Sequence, residues 1–389
     1  MPEFIRRFFL VILILLVGCQ PAALAGEHGG LLPTPTAFQP AAQSSPSTTP
    51  NLDPAQTMTA TATATPAPSL TPTHTPSPTP PPEITLLFTG QIVPGRCVQA
   101  GVAAHGNADY IYDGVREMIQ GADLAVGTVN GTIGDTSPST GCVVTFVLAG
   151  SSEHADAIQR AGFDAVSVAT NHIKNCGFTN CGDTAFFETL ANLRRVGVTP
   201  IGAGENLAEA LQPAIFNVKG VRFGIVSLGE IEPLAFAGAD SPGIAVLNEA
   251  NLRQAVTAAR KVADVVIVMP HWGPEYSAVP NWNQRGYAQI AVEAGADLVV
   301  GNHPHVVQAV QTLDGIPIFY GLGNFVFDQS WSEETQQSVI LEVKFKGTQF
   351  ESYHLTPVVS AMDGELRLAD ASEASQILNR IEEASASLH

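Results

Sequence analysis

Four short patches carry most of the chemistry this chain could perform: Thr170-Asn171-His172, His271-Trp272-Gly273, Asn302-His303-Pro304-His305-Val306 and Gly323-Asn324-Phe325. Neutral imidazole and carboxamide groups bind late divalent transition metals, and imidazole also moves protons near neutral pH. Any one of these histidines, taken alone, reads as an ordinary loop residue. Four patches in series are harder to explain that way, because each follows an apolar β-type run: residues 165–169, 265–269, 298–300 and 316–320. Side chains at successive strand ends converge on one edge of a sheet, where α/β proteins place their sites.

The elements that must hold these patches alternate along the chain. Residues 84–89 and 124–127 read as strands, and 110–120, 152–161, 183–196, 248–262 and 282–294 as helices. The apolar stripe Phe186, Phe187, Leu190, Leu193 and Val196 has helical spacing. Hairpins are predicted at 214–228, 306–319 and 338–357, the first two turning through Lys219-Gly220 and Leu313-Asp314-Gly315. Helices interleaved with strands and hairpins imply mixed sheets. Residues 371–388 read as an exposed terminal helix, and no internal repeat is present.

Between about residues 84 and 357 the chain resembles the bacterial capsule-synthesis CapA (poly-γ-glutamate) family. The resemblance is carried by His271-Trp272-Gly273-Pro274-Glu275-Tyr276, Gly301-Asn302-His303-Pro304-His305-Val306 and Gly323-Asn324-Phe325-Val326-Phe327-Asp328. It implies an α/β, calcineurin-like metallophosphoesterase fold, a sandwich of two mixed β-sheets flanked by helices. It also implies two metals held by an aspartate, a bridging glutamate, an asparagine and three histidines, with a further histidine protonating the leaving group. Carried over by motif, Asn171, His271 and His303 map to one metal, His305 to the other and His172 to the acid. Two earlier motifs keep their frame and lose their chemistry. Gly90-Gln91 stands where the family has Gly-Asp, ahead of the expected Gly95-Arg96, and Thr128-Val129-Asn130 stands where it has Asn-Leu-Glu.

Gln91 and Asn130 thus replace both acidic ligands, and neutral amides do not offset a divalent charge. The first metal position, left with His305, the Gln91 amide oxygen and at most one from Asn130, is expected to be empty. The second keeps two imidazoles and the Asn171 carboxamide, with Asn130 available as a fourth oxygen. The expected cofactor is one weakly bound Zn, Mn or Fe ion, or none. Arg96, Trp272, Glu275 and Asn324 are expected behind the ligands or lining the pocket, with Tyr276. Asp328 is expected to brace the last loop. Asp135 reads as a solvated loop acid, since charged side chains are mostly exposed. The function expected is that of a surface-anchored lipoprotein in capsule or poly-γ-glutamate biosynthesis with a degenerate phosphoesterase-type metal site, a hydrolase if it retains catalysis. The alternative is a non-catalytic binding or assembly lipoprotein of the capsule machinery. A solute-binding lipoprotein would share the anchor and tether described next, but not these motifs.

Residues 1–19 read as an export signal, with Arg6 and Arg7 before an apolar core too short for a comfortable membrane span, and Leu16-Val17-Gly18-Cys19 as a lipobox. The resemblance of this segment to bacterial lipoprotein signals implies lipidation of Cys19 and an extracytoplasmic, membrane-anchored location. Residues 20–82, rich in Pro, Thr, Ala and Ser, read as a disordered, semi-rigid tether. The family domain is expected over 83–360, with a helical tail over 361–389.

Removing the three acids and two bases of residues 1–82 leaves 33 Asp+Glu against 16 Lys+Arg, a net charge of −17. That balance argues against nucleic acid or anionic lipid as a partner, and against a broad docking surface for an acidic polymer. A local basic pocket from Arg96, Arg194 and Arg195 remains open. The partners expected are membrane lipid through Cys19 and capsule-synthesis membrane proteins or their polymer. Cys97, Cys142, Cys176 and Cys181 read as disulfides in an exported chain, with the short Cys176–Cys181 loop leaving Cys97 for Cys142.

Overall fold

The computed structural model describes residues 80–137, 140–174 and 182–388. The signal, Cys19, almost all of the tether and the Cys176–Cys181 pairing lie outside the described residues.

The strand Glu83–Ile92 (β1) is apolar on both faces, and both faces are covered. Ile84, Leu86 and Phe88 join one core cluster, Leu87 and Ile92 another. A strand buried on both sides belongs in the middle of a sheet. Its sheet runs, from edge to edge, Leu366–Leu368, Gln349–Ser360, Gln337–Lys346, β1, Leu124–Val129 (β2), Ala165–Ser167 (β3) and Thr199–Ile201. β1, β2 and β3 are parallel, while Gln337–Lys346 pairs antiparallel with β1. The second sheet orders Val310–Leu313, Ile316–Phe319, Leu298–Val300 (β5), Val265–His271 (β4), Val221–Gly229 and Ala214–Val218. The strand Asn324–Val326 (β6) crosses back to pair in parallel with the end of β1.

The two sheets face one another across a core to which Phe88, Val126, Phe223, Ile267, Val300 and Phe345 contribute. Phe223 and Phe345 meet edge to face there at 5.4 Å. Helices cover the outer faces. Arg96–His105, Glu153–Ala161 and Gly182–Arg195 pack on the first sheet, and Glu249–Arg260 and Trp282–Ala294 on the second. The mixed-sheet α/β sandwich is therefore the observed architecture.

Several local expectations change. The helix expected over 110–120 is broken into a 3-10 turn, Asp109–Tyr112, and a short helix, Arg116–Gly121. Between them a Cβ on Gly114 would lie 2.3 Å from the carbonyl oxygen of Leu366, so the edge strand presses on the chain at that point. The helix Arg96–His105 has no counterpart in the sequence reading. The terminal helix, Ala371–Ala386, is not simply exposed: Ile377, Ile381 and Ala384 form a buried stripe, and a capping box at Asp370 starts it. With the strand Leu366–Leu368 it makes the tail part of the domain, which continues past residue 360 through the described end at 388. Arg194 and Arg195 do not join Arg96. They end their helix and pair with Glu209 at 3.9 Å and Asp156 at 2.7 Å. Cys97 and Cys142 are disulfide-bonded, as expected from the sequence. Among the described residues no helix is long and apolar enough to cross a membrane.

Candidate functional site

Parallel strands bring their C-terminal ends to one edge, and there the four patches meet. Gln91 lies in register with Thr128 of β2 and Asn324 of β6, and His271 at the end of β4 bridges to Asn302. The approach of β1 to the last loop requires glycine: a Cβ on Gly90 would stand 2.1 Å from the carbonyl oxygen of Gly323. The next residue uses that closeness, since Gln91 N–H donates to Gly323 O at 3.0 Å. Between the sheets, Asn302 Nδ2–H donates to Thr128 Oγ1 at 2.8 Å, and Ser167 and Ser227 hydroxyls meet at 2.6 Å. Four non-glycine residues here hold positive φ: Arg96 at 54°, Tyr276 at 61°, His303 at 103° and His305 at 63°. Such strain persists only where surrounding structure imposes it, and it gathers at sites.

The cluster divides into two groups. In the first, Asn130, Gln91, Asn324 and His305 form a network in which backbone atoms fix each amide. Gln91 Nε2–H faces the His303 carbonyl at 3.3 Å, so its nitrogen, not its oxygen, points toward His305 Nδ1 (3.1 Å) and Asn324 Oδ1 (3.4 Å). Asn324 Nδ2–H donates to Thr335 O at 2.9 Å, turning Asn324 Oδ1 toward His305 Nδ1 at 2.9 Å. Asn130 Oδ1 accepts the backbone N–H of His172 at 3.2 Å while its Nδ2–H donates to Gln91 Oε1 at 2.8 Å. The expectation that Gln91 offers an amide oxygen to the first metal is thus reversed: it presents a donor. The Asn130 oxygen expected as a fourth ligand is engaged by backbone. This group does not fit a cation.

The second group is His271, His303 and Asn171. His271 Nε2 lies 2.9 Å from Asn171 Oδ1 and 3.1 Å from His303 Nδ1. A ring nitrogen carries at most one proton, so hydrogen bonding alone serves these contacts incompletely, and His271 Nδ1 is buried with no partner. Two imidazole nitrogens and an amide oxygen are a donor set that fits one late divalent ion. No carboxylate completes it: among the described residues no group of three or more His, Cys, Asp or Glu side chains is arranged to hold a metal.

Burial, reinforced by the neighbouring rings, holds His271 and His303 well below the ordinary histidine range. Burial also lowers His305, against the opposing pull of its Asn324 hydrogen bond and of Glu275. His172 is pushed down to about 4, first by burial and then by His305 and Arg96. Neutral imidazole is the ligating form. The same surroundings work against His172 as a standing acid, because at neutral pH it has no imidazolium proton to give.

Beside the cluster opens a cleft of about 430 Å³ whose lining includes His172, His305, Glu275, Tyr276, Phe327, Gln329 and Trp331. Arg96 reaches it, but its guanidinium is bonded to Asp328 (Nε–H to Oδ2 3.1 Å), donates to Thr145 O at 3.2 Å and lies over the Phe327 ring. Asp328 therefore braces Arg96. Glu275 stands 3.8 Å from His305 Nε2. Trp272, expected near the pocket, lies in the core: it is 1% exposed, donates its indole N–H to Tyr320 O at 2.9 Å and packs against the Tyr320 ring. Asp135 accepts hydrogen bonds from the Ser152 backbone and hydroxyl and takes no part in the site. Phe146, Gln329 and Trp331 escaped the sequence reading. The available signals were apolar Val143, Val144 and Phe146 just after Cys142, and polar Gln329 directly following the last motif.

Residues 85–329 match the model of a family described as bacterial capsule synthesis protein PGA_cap. The chain is 29% identical over 273 residues to the PGA biosynthesis protein CapA of Bacillus subtilis (strain 168), covering 70% of each chain. It is 30% identical over 267 residues to the capsule biosynthesis protein CapA of Bacillus anthracis, covering 66% of this chain and 63% of that one. Among solved structures, a phosphatase of Mycoplasma pneumoniae superposes with a TM-score of 0.48 at 11% identity, covering 77% of this chain and 100% of that one. A putative 5'-nucleotidase from Staphylococcus aureus gives 0.43 at 15% identity, covering 78% and 58%. With the family model spanning well over half of the sequence and its motifs brought to one sheet edge, the chain belongs to the bacterial capsule synthesis (PGA_cap) family.

Proposed function

We propose that this chain is a lipid-anchored, extracytoplasmic protein of capsule or poly-γ-glutamate biosynthesis whose site holds at most one weakly bound divalent ion. The observation that carries the site reading is the convergence of His271 Nε2, His303 Nδ1 and Asn171 Oδ1 beside an amide network that offers a cation no free oxygen. Family membership supports the biosynthetic role. Bound there, an ion such as zinc, manganese or iron would supply positive charge and Lewis acidity.

The chain's own residues do the rest. His271, His303 and Asn171 would hold the ion, and Asn130 fixes the His172 backbone. His305 Nδ1 lies between Asn324 Oδ1 at 2.9 Å and Gln91 Nε2 at 3.1 Å, while its Nε2 faces Glu275 at 3.8 Å and the cleft. A second reading, a non-catalytic binding or assembly module, is favoured by the same amide network, since two-metal activation of a nucleophile has no second ion to use.

Metal analysis of the purified full chain tests the site. Occupancy below one ion per chain, lost on substituting His271→Ala, supports it, and two firmly held ions in the unmodified protein refute it. Cys19→Ala tests the anchor: the variant is released or stays an unprocessed precursor, whereas a mature-sized, membrane-bound variant refutes lipidation.

A further inference from the structure

We propose that the cleft beside the histidine cluster binds small ligands through an ammonium group, whether or not an ion occupies the neighbouring histidines. Of the described residues that line it, two are charged, Arg96 and Glu275. Arg96 is buried and ion-paired with Asp328. The charged lining group with no full ion-pair partner is the Glu275 carboxylate, whose side chain is 42% exposed. Next to it Tyr276 and Trp331 meet edge to face at 6.0 Å, 77° between planes, and both remain about half exposed at 49% and 57%. Tyr276 also stacks on His305 at 5.8 Å with 25° between planes, so the half-exposed remainder of the two rings forms a corner at the cavity mouth.

The chemistry of that corner is selective. Aromatic faces carry negative electrostatic potential and attract ammonium groups, more strongly when a carboxylate stands beside them. An anionic ligand would meet Glu275 beside an Arg96 already neutralised in part by Asp328, on a chain of net charge −18. A phosphate or a polyglutamate carboxylate is therefore disfavoured in this cleft, and a primary or quaternary amine is favoured. A purely hydrocarbon ligand would gain the rings but leave Glu275 desolvated without a counter-charge, which is costly.

The test titrates choline and its neutral isostere 3,3-dimethylbutan-1-ol into the purified full chain in non-ionic detergent with a metal chelator present. Binding is followed by the indole N–H signal of Trp331, assigned with Trp331→Ala. Saturable choline binding at least tenfold tighter than the isostere is expected. Glu275→Gln should weaken it by about tenfold, and Trp331→Ala, read by calorimetry, by about fivefold. Inorganic phosphate should leave the signal in place. Equal binding of the isostere, tighter binding of phosphate, an unaffected Glu275→Gln variant, or no choline binding would each overturn the proposal. Because chelator is present throughout, none of these outcomes bears on the metal reading.

Discussion

The amide group and the histidine group lie side by side at one sheet edge and are made of the same neutral side-chain types, yet their polar atoms are partnered very differently. Around Gln91 the amides are turned by fixed backbone partners: the His303 and Thr335 carbonyls and the His172 N–H. Around His271, ring nitrogens and an amide oxygen face one another, and His271 Nδ1 has no partner at all. The two groups therefore differ in what fixes their polar atoms. In the first, backbone groups pair with the amides and hold them in a hydrogen-bonded lattice. In the second, two imidazoles and the Asn171 oxygen converge on one another.

Breaking that contrast outright should give the largest effect. Gln91→Asp together with Asn130→Glu restores acceptor-only side chains at both replaced positions. Metal stoichiometry should rise toward two, and hydrolysis of an aryl phosphoester should exceed that of the unmodified protein by at least about a hundredfold. Each single change should do much less, because a bridging ligand is of little use without its neighbour. No gain in metal from the double variant would mean that the backbone at the amide group has moved too far for carboxylates to act.

Acid should act next, through stability. His154 and His172 have folded-state values near 4, both pushed down by burial. A histidine depressed in the folded state leaves stability intact above its unfolded value of about 6.5 and removes it as pH falls from there toward 4. Each should cost about 3 kcal/mol by pH 4. Denaturant midpoints measured between pH 7 and pH 4 should fall steeply, and His154→Gln should flatten the fall by roughly one proton's worth. His154 lies outside the metal-like cluster, so a saturating divalent ion should leave its share unchanged.

The smallest effects should sharpen the comparison group by group. Asn324→Ala removes an amide whose partners are all buried, and should cost about 2–3 kcal/mol in urea unfolding. Asn171→Ala removes an oxygen from the unsettled group and should cost under about 1 kcal/mol, while abolishing the weak ion binding. Equal costs at the two positions would erase the distinction between the groups.

Much of this was legible in the sequence, and the failures have physical causes. The strand ends bearing Asn171, His271, His303 and Asn324 follow apolar runs whose two-sided burial shows plainly in residue type. The helix Arg96–His105 did not show, since only Val98 and Val102 give it a buried apolar face and Gly101 interrupts it. Residues 371–388 have the correct helical stripe, but whether Ile377 and Ile381 meet a core depends on an edge strand that sequence spacing does not reveal. Trp272 and Tyr276, four residues apart in one motif, go to opposite places: one under Tyr320 in the core, the other to the cleft mouth.

The sequence by itself determined that the four motif patches reach one site, because each follows an apolar strand and parallel pairing sends those strand ends to the same edge. It also determined that neutral amides, Gln91 and Asn130, stand at the ends of the first two strands. Only the tertiary structure decided what the replacements do. An amide presents either a donor or an acceptor depending on which backbone group it meets, and the groups that turn Gln91, Asn130 and Asn324 come from segments 212, 42 and 11 residues away along the chain. The same holds for Arg96, whose guanidinium the fold ties to Asp328 and the Thr145 carbonyl at the cleft wall.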